Sequence, residues 1–121
     1  MTISAGTFSL GSSSSHVTNL SVTGNISLSG KGALSNTSSG SDTVTCTGNF
    51  TMIDSALYQM QNSSTTTKGY VLNVGGNFSA TSGCTVTGGS NSSGGTVNFT
   101  GGTASVTYTN AGTLTASKPI Q

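Results

Sequence analysis

Apolar and polar residues alternate along most of the chain, in short runs that glycine, serine and asparagine interrupt. Ile26 and Leu28 are two residues apart with a hydroxyl residue between them, and so are Phe50 and Met52. Alternation of this kind predicts β-strands with one buried face. No apolar stripe recurs at the period of a helix, and residues that favour helices are few. We therefore expect an all-β chain.

The alternation belongs to a repeat: apolar, polar, apolar, small, Gly, Asn, apolar, hydroxyl, apolar. Three copies occupy residues 20–28, 44–52 and 72–80, and a weaker fourth begins at residue 97 and continues through residues 103–106. The anchoring glycines lie at positions 24, 48, 76 and 101, so the spacings are 24, 28 and 25 residues. A period in the twenties with several short strands per unit is typical of a β-solenoid.

Each repeat predicts one coil of three short strands, of which the motif supplies the first two. We expect the third strands at residues 33–36, 56–60, 84–88 and 113–116, and residues 7–10 as the third strand of an incomplete first coil. The predicted fold class is an all-β, right-handed parallel β-helix (β-solenoid) of about four to five coils of 24–28 residues. The right hand follows from the strong preference of parallel crossover connections. We expect residues 1–121 to form a single β-solenoid domain, either a fragment of a longer rod or a self-stacking subunit.

Stacking assigns a place to each position of the motif. Apolar positions face inward in columns, and the Gly-Asn pair turns the corner between the first and second strands, because both residue types tolerate left-handed backbone. The predicted core columns contain Leu20, Val22, Ile26, Val44, Cys46, Phe50, Leu72, Val74, Phe78, Val97 and Phe99, with Leu34, Tyr58 and Val86 as a further column. The predicted corner residues are Gly24, Asn25, Gly48, Asn49, Gly76, Asn77 and Gly101. We expect the corner asparagines to hydrogen-bond along the stack.

Composition distinguishes this interpretation from disorder. Serine, threonine, glycine and asparagine make up 73 of the 121 residues, as in a low-complexity chain, but the net charge is only +1. Disordered segments of low hydrophobicity usually carry a high net charge. Because the apolar residues are also regularly placed, we predict a folded chain.

Charge is scarce, with three lysines and two aspartates in the whole chain. Scattered lysines cannot form the basic patch that nucleic-acid binding needs, and no apolar run approaches the roughly 20 residues of a membrane span. The N-terminal residues lack the pattern of a signal peptide. With so few titratable groups, the sequence predicts no catalysis and no cofactor.

Five residues carry candidate chemistry. Cys46 and Cys84 either form a disulfide or remain buried thiols, and we favour thiols because the pattern puts them on different walls. We expect Asp42 and Asp54, at different corners, to be turn residues rather than a catalytic pair. His16 lies in a polar loop without a Ser-His-Asp context. No zinc or calcium motif is present, so no metal is expected.

A family resemblance rests on two runs. Leu-Asn-Val-Gly-Gly-Asn-Phe-Ser at 72–79, followed by Ser82-Gly83, and Gly-Thr-Val-Asn-Phe-Thr-Gly at 95–101 resemble repeat segments of very large secreted bacterial surface proteins. These include adhesin-like proteins of the type 9 secretion route and autotransporter-type passenger domains. The resemblance covers roughly residues 5–116. It implies an extracellular or cell-surface location and a structural or adhesive role.

The ends of the predicted solenoid bear on its partners. Neither end carries a capping segment, and Pro119 is the single residue that blunts an edge. Unpaired edge strands invite pairing with another chain. We therefore expect end-to-end self-association into a homo-oligomer or filament, or packing against neighbouring repeats of a larger chain.

Two other functions fit parts of the sequence. Thr-x-Thr spacings at 43–47, 85–87 and 107–109 resemble those of insect ice-binding β-solenoids, although here they fall on different strands. A carbohydrate-binding or polysaccharide-processing β-helix is the second alternative, with Tyr58, Tyr70 and Tyr108 as candidate stacking rings for a surface glycan. Tyr58 has the alternation of a core residue, which weakens the second alternative.

Overall fold

The computed structural model describes residues 1–10, 17–36, 41–59, 70–87, 95–100, 108–110 and 113–115. These residues form fourteen strands in three parallel sheets. Sheet 1 contains β3 (Val17–Val22), β6 (Ser41–Cys46), β9 (Tyr70–Val74) and β12 (Gly95–Phe99). Sheet 2 contains β1 (Thr2–Ile3), β4 (Ile26–Leu28), β7 (Phe50–Met52), β10 (Phe78–Ala80) and β13 (Tyr108–Asn110). Sheet 3 contains β2 (Thr7–Leu10), β5 (Ala33–Asn36), β8 (Leu57–Gln59), β11 (Thr85–Thr87) and β14 (Thr113–Thr115).

The chain visits sheets 1, 2 and 3 in turn, and each strand pairs in parallel with the strand one coil further along. Four coils follow, β3–β5, β6–β8, β9–β11 and β12–β14, after the partial coil of β1 and β2. The prediction of an all-β parallel β-solenoid with three strands per coil is confirmed. Residues 7–10 also form the predicted third strand of the partial coil, in register with β5.

The strand bounds differ from the sequence prediction in the last full coils. The third strands begin one residue later than predicted, since β8 begins at Leu57 and β11 at Thr85; their predicted last residues, 60 and 88, lie outside the described part of the chain. The second strand of the fourth coil is Tyr108–Asn110, where the motif placed residues 103–106. Tyr108 is in register with Phe78, so the connection is longer than the repeat spacing suggested. Residues 101–107 lie outside the described part of the chain.

The core columns have the predicted registers. In sheet 1, Leu20, Val44, Leu72 and Val97 stand in one column and Val22, Cys46, Val74 and Phe99 in the next. In sheet 2, Ile26, Phe50 and Phe78 are in register, and in sheet 3 Leu34, Tyr58 and Val86 are. The middle members of these columns are fully buried, whereas Leu20, Val22, Val97 and Phe99 at the ends of sheet 1 are partly exposed. Burial of each coil therefore depends on its neighbours, as expected for a solenoid.

Phe50 occupies the centre of the core. Its ring stacks on Phe78 of the next coil with centroids 5.3 Å apart and an interplanar angle of 9°, and it meets Tyr58 at 5.0 Å and 50°. Aromatic pairs at such separations add to the stability that burial provides. Phe50 thus joins two coils and two walls at one point.

Candidate functional site

The corner between sheets 1 and 2 carries a ladder of asparagines. The side-chain oxygen Oδ1 of Asn25 accepts a hydrogen bond from the backbone N–H of Asn49 at 2.8 Å. In the next coil, Oδ1 of Asn49 accepts one from the backbone N–H of Asn77 at 2.9 Å. The sequence predicted bonding along this column, and the structure shows that each side chain bonds the next coil's backbone.

Backbone bonds continue across the same corner. Gly48 N–H donates to Gly24 O, and Gly76 N–H donates to Gly48 O, both at 2.9 Å. Asn49 O in turn accepts from Ile26 N–H at 2.9 Å. Buried backbone N–H and C=O groups in folded proteins are almost always paired. At this corner the asparagine side chains and the backbone together supply such partners, so the hydrogen bonding between coils continues from sheet 1 to sheet 2.

Glycine occupies the corner positions for two different physical reasons. Gly24 has φ of 105°, the left-handed backbone that the sequence predicted. Gly48 and Gly76 do not have positive φ, and neither do the corner asparagines at positions 25, 49 and 77, so that reason is wrong for all of these residues. A Cβ at Gly48 would overlap Oδ1 of Asn25, and one at Gly76 would overlap Oδ1 of Asn49. Glycine is required there because the asparagine of the previous coil occupies the space; Gly101 lies outside the described residues.

The two aspartates lie apart. Asp54 is a turn residue as predicted, with φ of 64°, and its Oδ2 accepts from Gly30 N–H at 3.1 Å. Asp42 is not a turn residue: it lies within β6, is fully buried and accepts from Thr18 N–H through Oδ1 at 3.2 Å. The prediction for Asp42 was wrong because its neighbours Ser41 and Thr43 are polar and give no local sign of a buried position. The two carboxylates do not form a pair.

Cys46 and Cys84 are both free and buried, in agreement with the favoured prediction of two thiols. Cys46 faces inward from sheet 1, and its Sγ donates to Gly48 O at 3.6 Å. Cys84 lies in the turn just before β11, not in the strand as predicted, and its Sγ donates to Asp54 O at 3.7 Å. Burial is the main cause that raises the pKa of the Cys46 thiol. Both thiols act as small core side chains.

Among the described residues, no group of three or more His, Cys, Asp or Glu side chains is placed to hold a metal ion. His16, which the sequence placed in a polar loop, lies outside the described residues. No helix in the described part of the chain is long and apolar enough to cross a membrane.

Tyr58 is a core residue and not a surface stacking ring. It is fully buried, and its hydroxyl has no hydrogen-bond partner. Burial is the first cause that raises the tyrosine pKa, and the nearby Cys46 and Asp42 add to the shift. The side chains of Tyr70 and Tyr108, the other two candidate rings, lie outside the described residues.

The outward faces of sheets 1 and 2 carry columns of hydroxyl and amide groups. On sheet 1, Asn98 Nδ2 donates to Asn73 Oδ1 at 3.0 Å, and Asn73 Nδ2 donates to Thr45 Oγ1 at 3.2 Å. On sheet 2, an outward hydroxyl residue recurs in four successive coils, at Thr2, Ser27, Thr51 and Ser79. The motif contains this hydroxyl position, but only the sheet register shows that it forms an unbroken column.

Comparison of the chain with protein-family models, with curated proteins and with solved structures finds no match.

The corner geometry predicts that Gly48 and Asn25 are coupled. Gly48→Ala should lower the free energy of unfolding by about 1–3 kcal/mol, because its Cβ overlaps the Asn25 side chain. In an Asn25→Ala background the same change should cost at least about 1 kcal/mol less, as a double-mutant cycle by urea denaturation would measure. Gly76→Ala is the matched control, since its Cβ meets Asn49 instead. Additive effects for Gly48 and Asn25 would contradict the proposed cause.

The buried Tyr58 hydroxyl predicts a loss of stability at alkaline pH. The folded chain holds the Tyr58 proton above the ordinary tyrosine pKa of about 10, so stability is complete below that pH and falls as pH rises above it. Tyr58→Phe should reduce this fall. It should also leave stability at neutral pH within about 1 kcal/mol of the original or raise it, because the hydroxyl has no partner to lose. Thermal unfolding at neutral pH and at about pH 11 checks both; an equal alkaline loss in the variant would refute the assignment.

Proposed function

We propose that the chain is a structural or adhesive β-solenoid module, located outside the cell or on its surface, that contributes coils to a rigid rod or filament. Its mechanism is geometric, without catalysis. The coils hold one another in a fixed stack, and the outward walls and loops are presented for contact. The observation that carries the proposal is the continuous coil-to-coil bonding of all three sheets and of the corner between sheets 1 and 2.

The packing of the interior supports the proposed structural role. Most inward positions of the middle coils are filled by apolar side chains or buried thiols, and the aromatic contacts of Phe50 bridge adjacent coils. Such an interior stiffens the stack because each coil buries its faces on its neighbours. The buried polar residues of the described chain, Ser35, Asn36 and Asp42, lie at the end of β5 and the beginning of β6.

The ends of the stack support association. Each sheet ends in an edge strand: β1, β2 and β3 at one end and β12, β13 and β14 at the other. At the first end, Phe8 of β2 is 42 % exposed and Val17 of β3 is 65 % exposed. Edge strands with exposed apolar side chains favour pairing with further strands. Such strands come either from other copies of this chain or from neighbouring repeats of a larger chain.

If the chain forms a rod, its self-association should depend on the residues at the ends of the stack. Phe8→Lys should weaken self-association at least about tenfold, because a charge on an edge strand opposes strand pairing. Thr51→Lys, on the outward face of the middle of sheet 2, is the matched control and should leave association unchanged. Analytical ultracentrifugation over a dilution series, with negative-stain microscopy, measures both. A monomer that dilution does not affect would refute self-association.

Ice binding is a second candidate, favoured by the hydroxyl column of sheet 2. Thr2, Ser27, Thr51 and Ser79 repeat at the strand separation of about 4.8 Å on an uncharged wall. If this column orders water, the chain should show thermal hysteresis, and Ser79→Tyr should lower it because the ring interrupts the column. Thr87→Tyr on sheet 3 is the control. Absence of thermal hysteresis in the unchanged chain would exclude ice binding.

A further inference from the structure

The edge of β3 is the longest open edge at its end of the stack. β3 has six residues, against two in β1 and four in β2. Within the described residues it pairs on one side only, with β6. Its first residue, Val17, is the most exposed large apolar residue of the described chain. An open edge of this length can accept another strand.

The backbone groups of β3 divide between its two sides. Val22 O accepts from Thr47 N–H of the next coil at 3.1 Å, as Cys46 O accepts from Gly75 and Val74 O from Thr100. Inward residues of sheet 1 therefore direct their backbone groups to the following coil. Since successive residues of a strand bond to opposite sides, the groups of Asn19 and Ser21 face the open edge.

The inward apolar side chains of β3 are less completely buried than those of the next coil. Leu20 and Val22 are only partly buried, whereas Val44 and Cys46, their partners in the next coil, are fully buried. A strand added beside β3 with apolar side chains in register with Leu20 and Val22 would extend both columns by one coil. Such a strand would bury Leu20 and Val22 as β3 itself buries Val44 and Cys46.

Strand order places the open position in the first, partial coil. Sheets 2 and 3 have five described strands, and sheet 1 has four. The coil that contributes β1 and β2 therefore has no described strand in sheet 1 beside β3. A strand placed there would give that coil all three walls.

We propose that the edge of β3 binds an extended strand of another polypeptide that carries this repeat pattern. The strand pairs in parallel, with apolar residues facing Leu20 and Val22 and a small polar residue between them facing outward. The chain's own sequence at residues 95–100, Gly-Thr-Val-Asn-Phe-Thr, has this chemistry. The inference rests on the proposed rod function and names the contact that completes it.

The first test uses peptides and leaves the protein unchanged. A capped peptide of the sequence at 95–100 should bind the full chain, measured by fluorescence anisotropy of a labelled peptide. Methylation of the backbone nitrogen at the Phe position, which would face β3, should weaken binding at least about tenfold. Methylation at the Asn position, which would face away, should change it less than about twofold. No binding of the unmodified peptide, or equal binding of the two methylated peptides, would overturn the proposal.

The second test changes the protein. Ser21→Pro removes an N–H on the open side of β3, a change that edge strands tolerate, so the circular dichroism spectrum and urea midpoint should be unchanged. Peptide binding should fall at least about tenfold. Undiminished binding by a folded Ser21→Pro variant would overturn the proposal.

Filament formation separates this proposal from the rod function. Filaments that form equally well with the Ser21→Pro variant would overturn the strand addition at β3 while leaving the rod function intact. Peptide binding by a chain that never assembles would refute self-association and support the edge site.

Discussion

The parallel, in-register pairing of each strand with the equivalent strand one coil away is the constraint on which this molecule depends. It places equivalent residues above one another at about 4.8 Å, so each position must tolerate its own repetition. Apolar residues meet this condition by forming columns, and hydroxyl and amide residues meet it by bonding along the stack. Charged residues do not, because like charges in adjacent coils repel. A chain with five charged residues in 121 suits such a stack.

The corner between sheets 1 and 2 shows how one position constrains another. Asn25 bonds the backbone of Asn49, and the space its side chain occupies leaves no room for a Cβ at Gly48. Asn49 stands in the same relation to Asn77 and Gly76. The Gly-Asn pair is therefore a unit whose two members act in different coils. Its recurrence follows from contact between coils as much as from the bend within one coil.

The same pairing makes the ends of the stack differ from its middle. The middle coils satisfy their backbone groups and bury their apolar residues on both sides. The edge strands do so on one side, and β3 has the longest such edge at its end. The proposed rod-forming role and the proposed strand addition at β3 both rest on this one geometry, since pairing between coils has no inherent stopping point.

Much of the fold could be predicted from the sequence alone. Strict alternation identifies strands and their inward faces, and a repeat with few insertions sets the register, because a slip by one residue would turn every apolar side chain outward. This is why the columns of Leu20 and Ile26 were predictable. The starts of β8 and β11 and the position of β13 were not, because no local signal marks where the connection before each strand ends.

Contacts between coils decided what the sequence could not. Asp42 is buried although its neighbours are polar, because its place in β6 puts it on the inward side and Thr18 of the previous coil bonds it. The cause of glycine at 48 and 76 lies in a side chain 23 and 27 residues earlier in the chain, respectively. The hydroxyl column of sheet 2 exists only once the strands are stacked. The sequence determined which apolar residues face inward, whereas the tertiary structure determined which residues meet, because contacts depend on the spacing and register of coils distant in the chain.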